Sequence, residues 1–281
     1  MTEEKKSKNY PPKTTPPENL NDKDLNNPDR GERIAKYLAR LGIASRRDIE
    51  KMIDQKRIVI NGDVVTTPAS FVTERDQIQV DGDNVGRRQQ PRLFMYHKPA
   101  GLITTAKDPE GRATVFDSLP QNLPRLISVG RLDLNTEGLL LLTNDGALSR
   151  LLELPSSGLK RSYRVRVFAG GGRGKEILAK KLEKLQHGLV WKNVRYGKIE
   201  AIVDDQQKQD GHNLWVTMTL TEGKNREIRN VMEALGYQVS RLMRLSYGPF
   251  ELGGLPRGEV VEIPPKAWRE LLPQEIVKTL E

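Results

Sequence analysis

The sequence predicts an α+β protein built as two domains behind an N-terminal arm. Three observations carry that expectation. Residues 33–57 read as two short amphipathic helices; a β-hairpin follows them; and from Leu93 onward strand-like and helix-like segments mix without the regular alternation that a parallel sheet needs. The expected divisions are an arm over 1–30, a small domain over 31–90 and a larger one over 91–281, its sheet mixed but mainly antiparallel.

The arm is read from residues 1–29, which hold five prolines, nearly balanced charge and no apolar periodicity. Such a segment buries too little to offset the entropy of ordering it. In the small domain, Ile34, Tyr37, Leu38 and Leu41 form one stripe of a first helix, with Arg33, Lys36 and Arg40 on another, and Gly42 ends it. Ser45 and Asp48 are spaced as a capping box for a second helix, whose Ile49, Met52 and Ile53 face inward while Arg46, Arg47 and Lys51 stay outside. Two β-rich runs around Asn61-Gly62 predict a hairpin, and a short strand at 77–80 follows. Arg87 to Pro91 reads as a linker.

In the larger domain a strand starting at Leu93 is stopped by Pro99 and Gly101. Further strands are expected at 126–129, 139–143, 162–168, 199–203, 214–220 and 239–245, and helices at 146–154, 175–185, 225–235 and around 268–272. The run Gly170 to Gly174 lacks the lysine and hydroxyl residue that end a phosphate-binding P-loop and reads as a plain loop.

Composition narrows the partners. The chain has 281 residues and a formal net charge of +9, with a pI near 9.6, which favours a polyanion, nucleic acid first. Residues 33–57 concentrate this charge: Arg33, Lys36, Arg40, Arg46, Arg47, Lys51, Lys56 and Arg57 are eight basic residues against three acidic ones. A solvated helix face usually interleaves both signs, so the excess points to phosphate contact. Zero cysteines remove thiolate chemistry and cysteine-type zinc sites, and His97, His187 and His212 are too scattered for a metal cluster. No metal and no cofactor is expected. With no apolar run that could span a bilayer and no secretory signal, a cytoplasmic, monomeric protein is expected.

The residue that most invites a chemical reading is Asp133, in a loop bracketed by Gly130 and Gly138 and followed by a wholly apolar strand. A carboxylate with Arg131 two residues before it and a rigid strand after it suits a nucleophile or general base. A simple turn-making role competes, since Asp readily bonds its own backbone. A calcium loop also competes: Asp133, Asn135, Glu137 and Gly138 fit its first, third, fifth and sixth positions, but the twelfth is Asn144, which cannot supply the closing bidentate carboxylate. Tyr163, in an alternating run of β-formers and arginines from Arg161 to Val167, is either core or a stacking platform for an extruded base. Lys224, Arg226 and Arg229, around an expected helix start, run against the helix dipole and suggest an anionic partner.

Together these segments resemble the pseudouridine synthases that modify ribosomal RNA and carry an N-terminal S4 domain. The helix, Ala44 to Arg47, second helix and Val59 to Gly62 hairpin resemble the S4 RNA-binding domain over about fifty residues. Gly130 to Asp133, Thr136 and Gly138 to Gly146 match the family's catalytic signature. Lys98 to Gly101, Asp108 to Arg112 with Thr114 to Asp117, Glu222 to Arg229 and Leu255 to Gly258 match further family segments. The resemblance runs from about Arg33 to Pro264.

It implies that Asp133 is the catalytic carboxylate of a cofactor-free isomerisation, that Tyr163 packs on the target base and that Arg229 pairs with the aspartate. Arg131, Thr136, Lys224 and Arg226 would support the site. Two departures stand out: Arg161 where a lysine is common, and Glu227-Ile228-Arg229-Asn230 where a glutamine and a second basic residue are more usual. The Asp108 to Arg112 and Leu255 to Gly258 runs are most similar to the large-subunit (23S) branch, with a small-subunit (16S) enzyme as the alternative. A non-catalytic RNA-binding ribosome-assembly factor would explain the charge but has no need of Asp133.

Overall fold

The computed structural model describes residues 31–86, 89–168, 173–204 and 213–278. The expected arm, two residues of the linker and most of the 170–174 glycine run lie outside the described residues. The chain divides after Gly86 into two compact units.

In the first unit, β1 (Glu32–Arg33) leads directly into α1 (Ile34–Arg40), and α2 (Arg46–Asp54) follows. Four short strands, β2 (Ile58–Ile60), β3 (Asp63–Val64), β4 (Phe71–Val72) and β5 (Ile78–Val80), precede β6 (Asp83–Asn84). The order β3-β2-β5-β6 makes one antiparallel sheet, and β1 pairs with β4. Asn61 and Gly62 both take positive φ (52° and 94°), as do Asp81 and Gly82 (53° and 88°), so each pair turns a tight hairpin whose twist suits the strands it joins. The Ser45 hydroxyl accepts from the Asp48 N–H at 3.2 Å, capping α2 as its spacing predicted. Ile34, Leu38, Ile49, Ile53, Ile58, Val72 and Ile78 form the core.

The second unit opens with β7 (Leu93–Lys98), β8 (Ile127–Val129), β9 (Thr136–Thr143), α3 (Gly146–Glu153) and β10 (Arg161–Phe168). It continues through α4 (Gly174–Glu183), β11 (Leu189–Trp191), β12 (Val194–Tyr196), β13 (Glu200–Val203), β14 (Asn213–Leu220) and α5 (Glu227–Ala234). It closes with β15 (Val239–Tyr247), β16 (Phe250–Glu251), β17 (Val260–Ile263), α6 (Pro265–Leu271) and α7 (Gln274–Lys278). Seven strands run in the order β13-β14-β10-β15-β9-β7-β17, with β16 on β15 and β8 on β9. Among these pairings only β9 with β15 is parallel, over Thr136 to Gly138. The fold is therefore α+β with a mixed, mainly antiparallel sheet.

All eight residues of β9 are buried because both faces of the strand are covered. Leu139 and Leu141 join the core under α3, α6 and α7. Leu140 and Leu142 point the other way, toward Phe94, Tyr96, Val115 and Leu132. A strand sandwiched like this reads as a continuous apolar run rather than an alternating one. Beyond the parallel join, α4 and α5 cover Val165, Val167, Val216 and Met218.

Several elements have no counterpart in the sequence reading: β1, β4, β6, the β11–β12 hairpin, β16, β17 and α7. Apart from α7 they are strands of two to four residues, too short to show a period and defined by the partner they meet. The expected helix at 225–235 begins two residues late, at Glu227, because Arg226 takes a left-handed conformation (φ 51°, ψ 30°) that no α-helix continues through.

Candidate active site

The loop between β8 and β9 is fixed along nearly its whole backbone. The Gly130 N–H donates to the Glu153 carboxylate at 2.9 Å. Thr104 accepts from the Leu132 N–H at 3.3 Å and donates to its carbonyl at 2.8 Å. The Asp133 carbonyl accepts from the Thr136 N–H at 3.0 Å, and the Leu134 carbonyl from the Gly101 N–H at 2.8 Å. Arg229 reaches the Asn135 carbonyl at 3.2 Å. The turn at Asp133 is thus closed by its carbonyl, and the carboxylate is left over for something else.

Lys98, at the end of β7, lies beneath this loop and is fully buried. Its ammonium donates to the carbonyls of Pro99 (3.0 Å), Asp133 (3.2 Å), Leu134 (3.3 Å) and Thr136 (2.8 Å). Burial pulls its pKa down to about 8, against the charges of Asp133 and Glu137, which favour the ammonium. In the sequence Lys98 stands out only as part of the Lys98 to Gly101 run. Its one signal was a lysine ending an apolar strand immediately before a proline.

Gly138, where the parallel join ends, has φ +100°, and a Cβ there would stand 2.2 Å from the Arg244 carbonyl oxygen. Only glycine lets β15 come this close. The neighbouring Glu137 is buried and accepts from Arg241 at 2.7 Å and pairs with Arg257 at 2.7 Å. Those hydrogen bonds and charges hold its carboxyl below the usual range despite burial. This commits Glu137 away from a calcium loop. Asn144, whose side chain accepts from the Arg92 N–H at 2.8 Å, is also structural.

The guanidinium that reaches the Asp133 carboxylate is Arg226, at 3.8 Å. The pairing expected for Arg229 is therefore made by its neighbour. Arg229 spends its terminal nitrogens on the carbonyls of Val239 (3.1 Å) and Asn135. Burial lowers its pKa, helped by the Arg226 charge and opposed by Asp133. Arg131 is exposed and makes no side-chain hydrogen bond or ion pair among the described residues. Thr136 is buried, and its carbonyl is one of those held by Lys98.

Tyr163 is half-buried where two cores meet: it packs against the cluster holding Leu132 and against the one holding Ile228. It shares its face of β10 with buried Val165 and Val167, as the alternation predicted. Arg161 is buried on the same face. It donates to the Thr221 carbonyl at 2.6 Å and to the Tyr247 hydroxyl at 2.8 Å, so it anchors the segment that delivers Arg226. Within that segment Lys224 pairs with Glu222 and donates to the Arg195 carbonyl at 2.7 Å. The Lys224 N–H donates to Glu227 at 2.9 Å. Burial raises the Glu227 pKa.

The basic cluster of the first unit is less free than its composition implied. Glu32 pairs with Lys36 at 2.8 Å and Arg40 at 2.6 Å, Asp48 with Lys51 at 3.3 Å, and Asp81 with Arg57 at 2.6 Å. The window that gave eight basic residues against three begins just after Glu32 and ends well before Asp81. Arg33, Arg46, Arg47 and Lys56 are exposed and carry no ion pair among the described residues.

A two-unit α+β chain with an immobilised aspartate loop and a tyrosine at the seam of its sheet has a family match in each unit. Residues 92–234 match RNA pseudouridylate synthase, and residues 32–78 match the S4 domain. The chain belongs to the RNA pseudouridylate synthase family. An RNA pseudouridine synthase of Rickettsia felis, itself described as uncharacterized, is 44% identical over 83% of this chain and 96% of its own length. The ribosomal large subunit pseudouridine synthase B of Yersinia pestis is 42% identical over 84% of this chain and 74% of its own length. A crystal structure of a pseudouridylate synthase shares the fold, with a TM-score of 0.55 and 23% identity, over 89% of this chain and all of the other. No helix among the described residues is long and apolar enough to cross a membrane.

Proposed function

We propose that the protein converts a uridine of large-subunit ribosomal RNA to pseudouridine, with Asp133 as the catalytic carboxylate. The observation that carries this reading is the loop itself. Its backbone is bonded away at residue after residue, while the Asp133 side chain is left partly exposed beside a loosely held guanidinium. A catalytic group held by a rigid shell loses little orientation entropy on reaching the transition state.

The reaction needs no cofactor. The glycosidic bond between the ribose and N1 breaks, the uracil turns, and the ribose is rejoined through C5; the C5 proton leaves and N1 gains one. Extruding the target base costs a few kcal/mol. Stacking on Tyr163, worth roughly 1–3 kcal/mol per base, together with phosphate contacts, offsets that. The large-subunit target rests on relatives such as the Yersinia pestis enzyme. The strongly basic composition suits a nucleic-acid partner.

Asp133→Asn, nearly isosteric, is expected to keep RNA affinity and abolish product in a pseudouridine-mapping assay on ribosomal RNA. Undiminished pseudouridine formation by that variant would remove Asp133 from the chemistry.

A further inference from the structure

The segment 224–229 carries three cations, two of which, Arg226 and Arg229, reach the Asp133 loop, and the structure gives the three different freedom. Lys224 is committed to Glu222 and to the Arg195 carbonyl. Arg229 is committed to the carbonyls of Asn135 and Val239 and is half-buried. Arg226 is left: its side chain is 55% exposed, and its polar contact among the described residues is the 3.8 Å approach to Asp133, beyond hydrogen-bond distance.

Its backbone, by contrast, is held firmly. A left-handed φ of 51° is unfavourable for a non-glycine residue, and it persists where the surroundings impose it. Here Arg161 holds the Thr221 carbonyl, Glu227 holds the Lys224 N–H, and the Asn230 N–H donates to the Arg226 carbonyl at 2.9 Å. A rigid base thus carries a free guanidinium.

We propose that Arg226 is the residue on which the RNA backbone acts. A phosphate flanking the target nucleotide takes its guanidinium from Asp133, and the same event that seats the RNA uncovers the carboxylate. This inference rests on the catalytic reading of Asp133. An exposed ion pair of this length contributes little, whereas guanidinium and phosphate can form two parallel charge-assisted hydrogen bonds. The exchange therefore runs toward phosphate. Arg229 stays behind as a positioning residue, holding the loop at Asn135.

The test measures steady-state kinetics and equilibrium binding of the full chain with transcribed large-subunit ribosomal RNA across a salt series, for the wild type, Arg226→Gln, Arg226→Lys and Arg229→Gln. Arg226→Gln is expected to raise KM about tenfold, more than it lowers kcat, and to reduce the slope of log affinity against log salt by about 0.7–0.9, one phosphate contact. Arg226→Lys should restore most of that slope. Arg229→Gln should lower kcat and leave the slope alone. A loss confined to kcat in Arg226→Gln, with KM and slope unchanged, would overturn the exchange and make Arg226 a partner of Asp133 during the reaction. The binding slopes need no turnover, so a wild type that makes no pseudouridine would defeat the catalytic reading while the slopes still decide for or against Arg226.

Discussion

Lys98 shows what a single buried charge does here. Its ammonium gathers the carbonyls of Pro99, Asp133, Leu134 and Thr136, adding a donor to the Asp133 and Leu134 carbonyls, which also accept from the Thr136 and Gly101 N–H groups. Its pKa near 8 in the folded chain lies below the ordinary 10.5 of an unfolded lysine. Between those values the unfolded chain holds the proton more tightly than the folded one, so the stability contributed at this site rises as pH climbs from about 8 to 10.5. The unfolding free energy of the wild type relative to Lys98→Met should therefore increase over that window, by up to about 3 kcal/mol. A difference that is flat with pH in denaturant titrations would contradict the depressed pKa. Arg161 works in the same manner at the other wall, as a buried cation that holds carbonyls so that its neighbours stay in place.

At the level of elements the decisive feature is the parallel join of β9 and β15. It lets the strand that leaves the Asp133 loop lie against the strand that follows α5, so the aspartate and the arginine segment are brought together by the sheet itself. Gly138 is the hinge point of that contact. Gly138→Ala would drive a Cβ into the Arg244 backbone at a positive φ, and is expected to cost about 3 kcal/mol or more. Thermal unfolding of the variant checks this. A melting temperature within a degree of the wild type would show that the strands can part cheaply. The late start of α5 belongs to the same scale. Because the helix begins at Glu227, Lys224 and Arg226 sit in the loop before it, and the acidic residue falls in the first turn where the helix dipole favours it.

Across the whole molecule, charge is divided between cations that hold structure and cations left for a polyanion. In the first unit Arg33, Arg46, Arg47 and Lys56 fall in the second group. Changing all four to glutamine should lower the salt slope of RNA binding by about 3, whereas Lys36→Gln with Arg40→Gln should lower it by less than 1 and mainly reduce stability. Equal effects of the two sets on the slope would mean that the ion pairs with Glu32 open when RNA binds. A chain starting at Arg92 should show both a weaker affinity and a shallower slope.

How much of this was legible follows from the range of each interaction. The two hairpin turns, the capped α2, the glycine-bracketed loop and the doubly buried β9 are written in neighbouring residues, since turn geometry, capping and apolar periodicity act over a few positions. The sequence by itself determined the α+β class, the family and the candidate aspartate and tyrosine. Only the tertiary structure decided which cation meets Asp133, that Lys98 underlies the loop, and that Glu32 and Asp81 neutralise part of the basic cluster. Those are contacts between residues far apart in the chain, or between neighbours whose backbone angles are set from outside, and a guanidinium's partner is fixed by a few ångströms that no spacing in a sequence specifies.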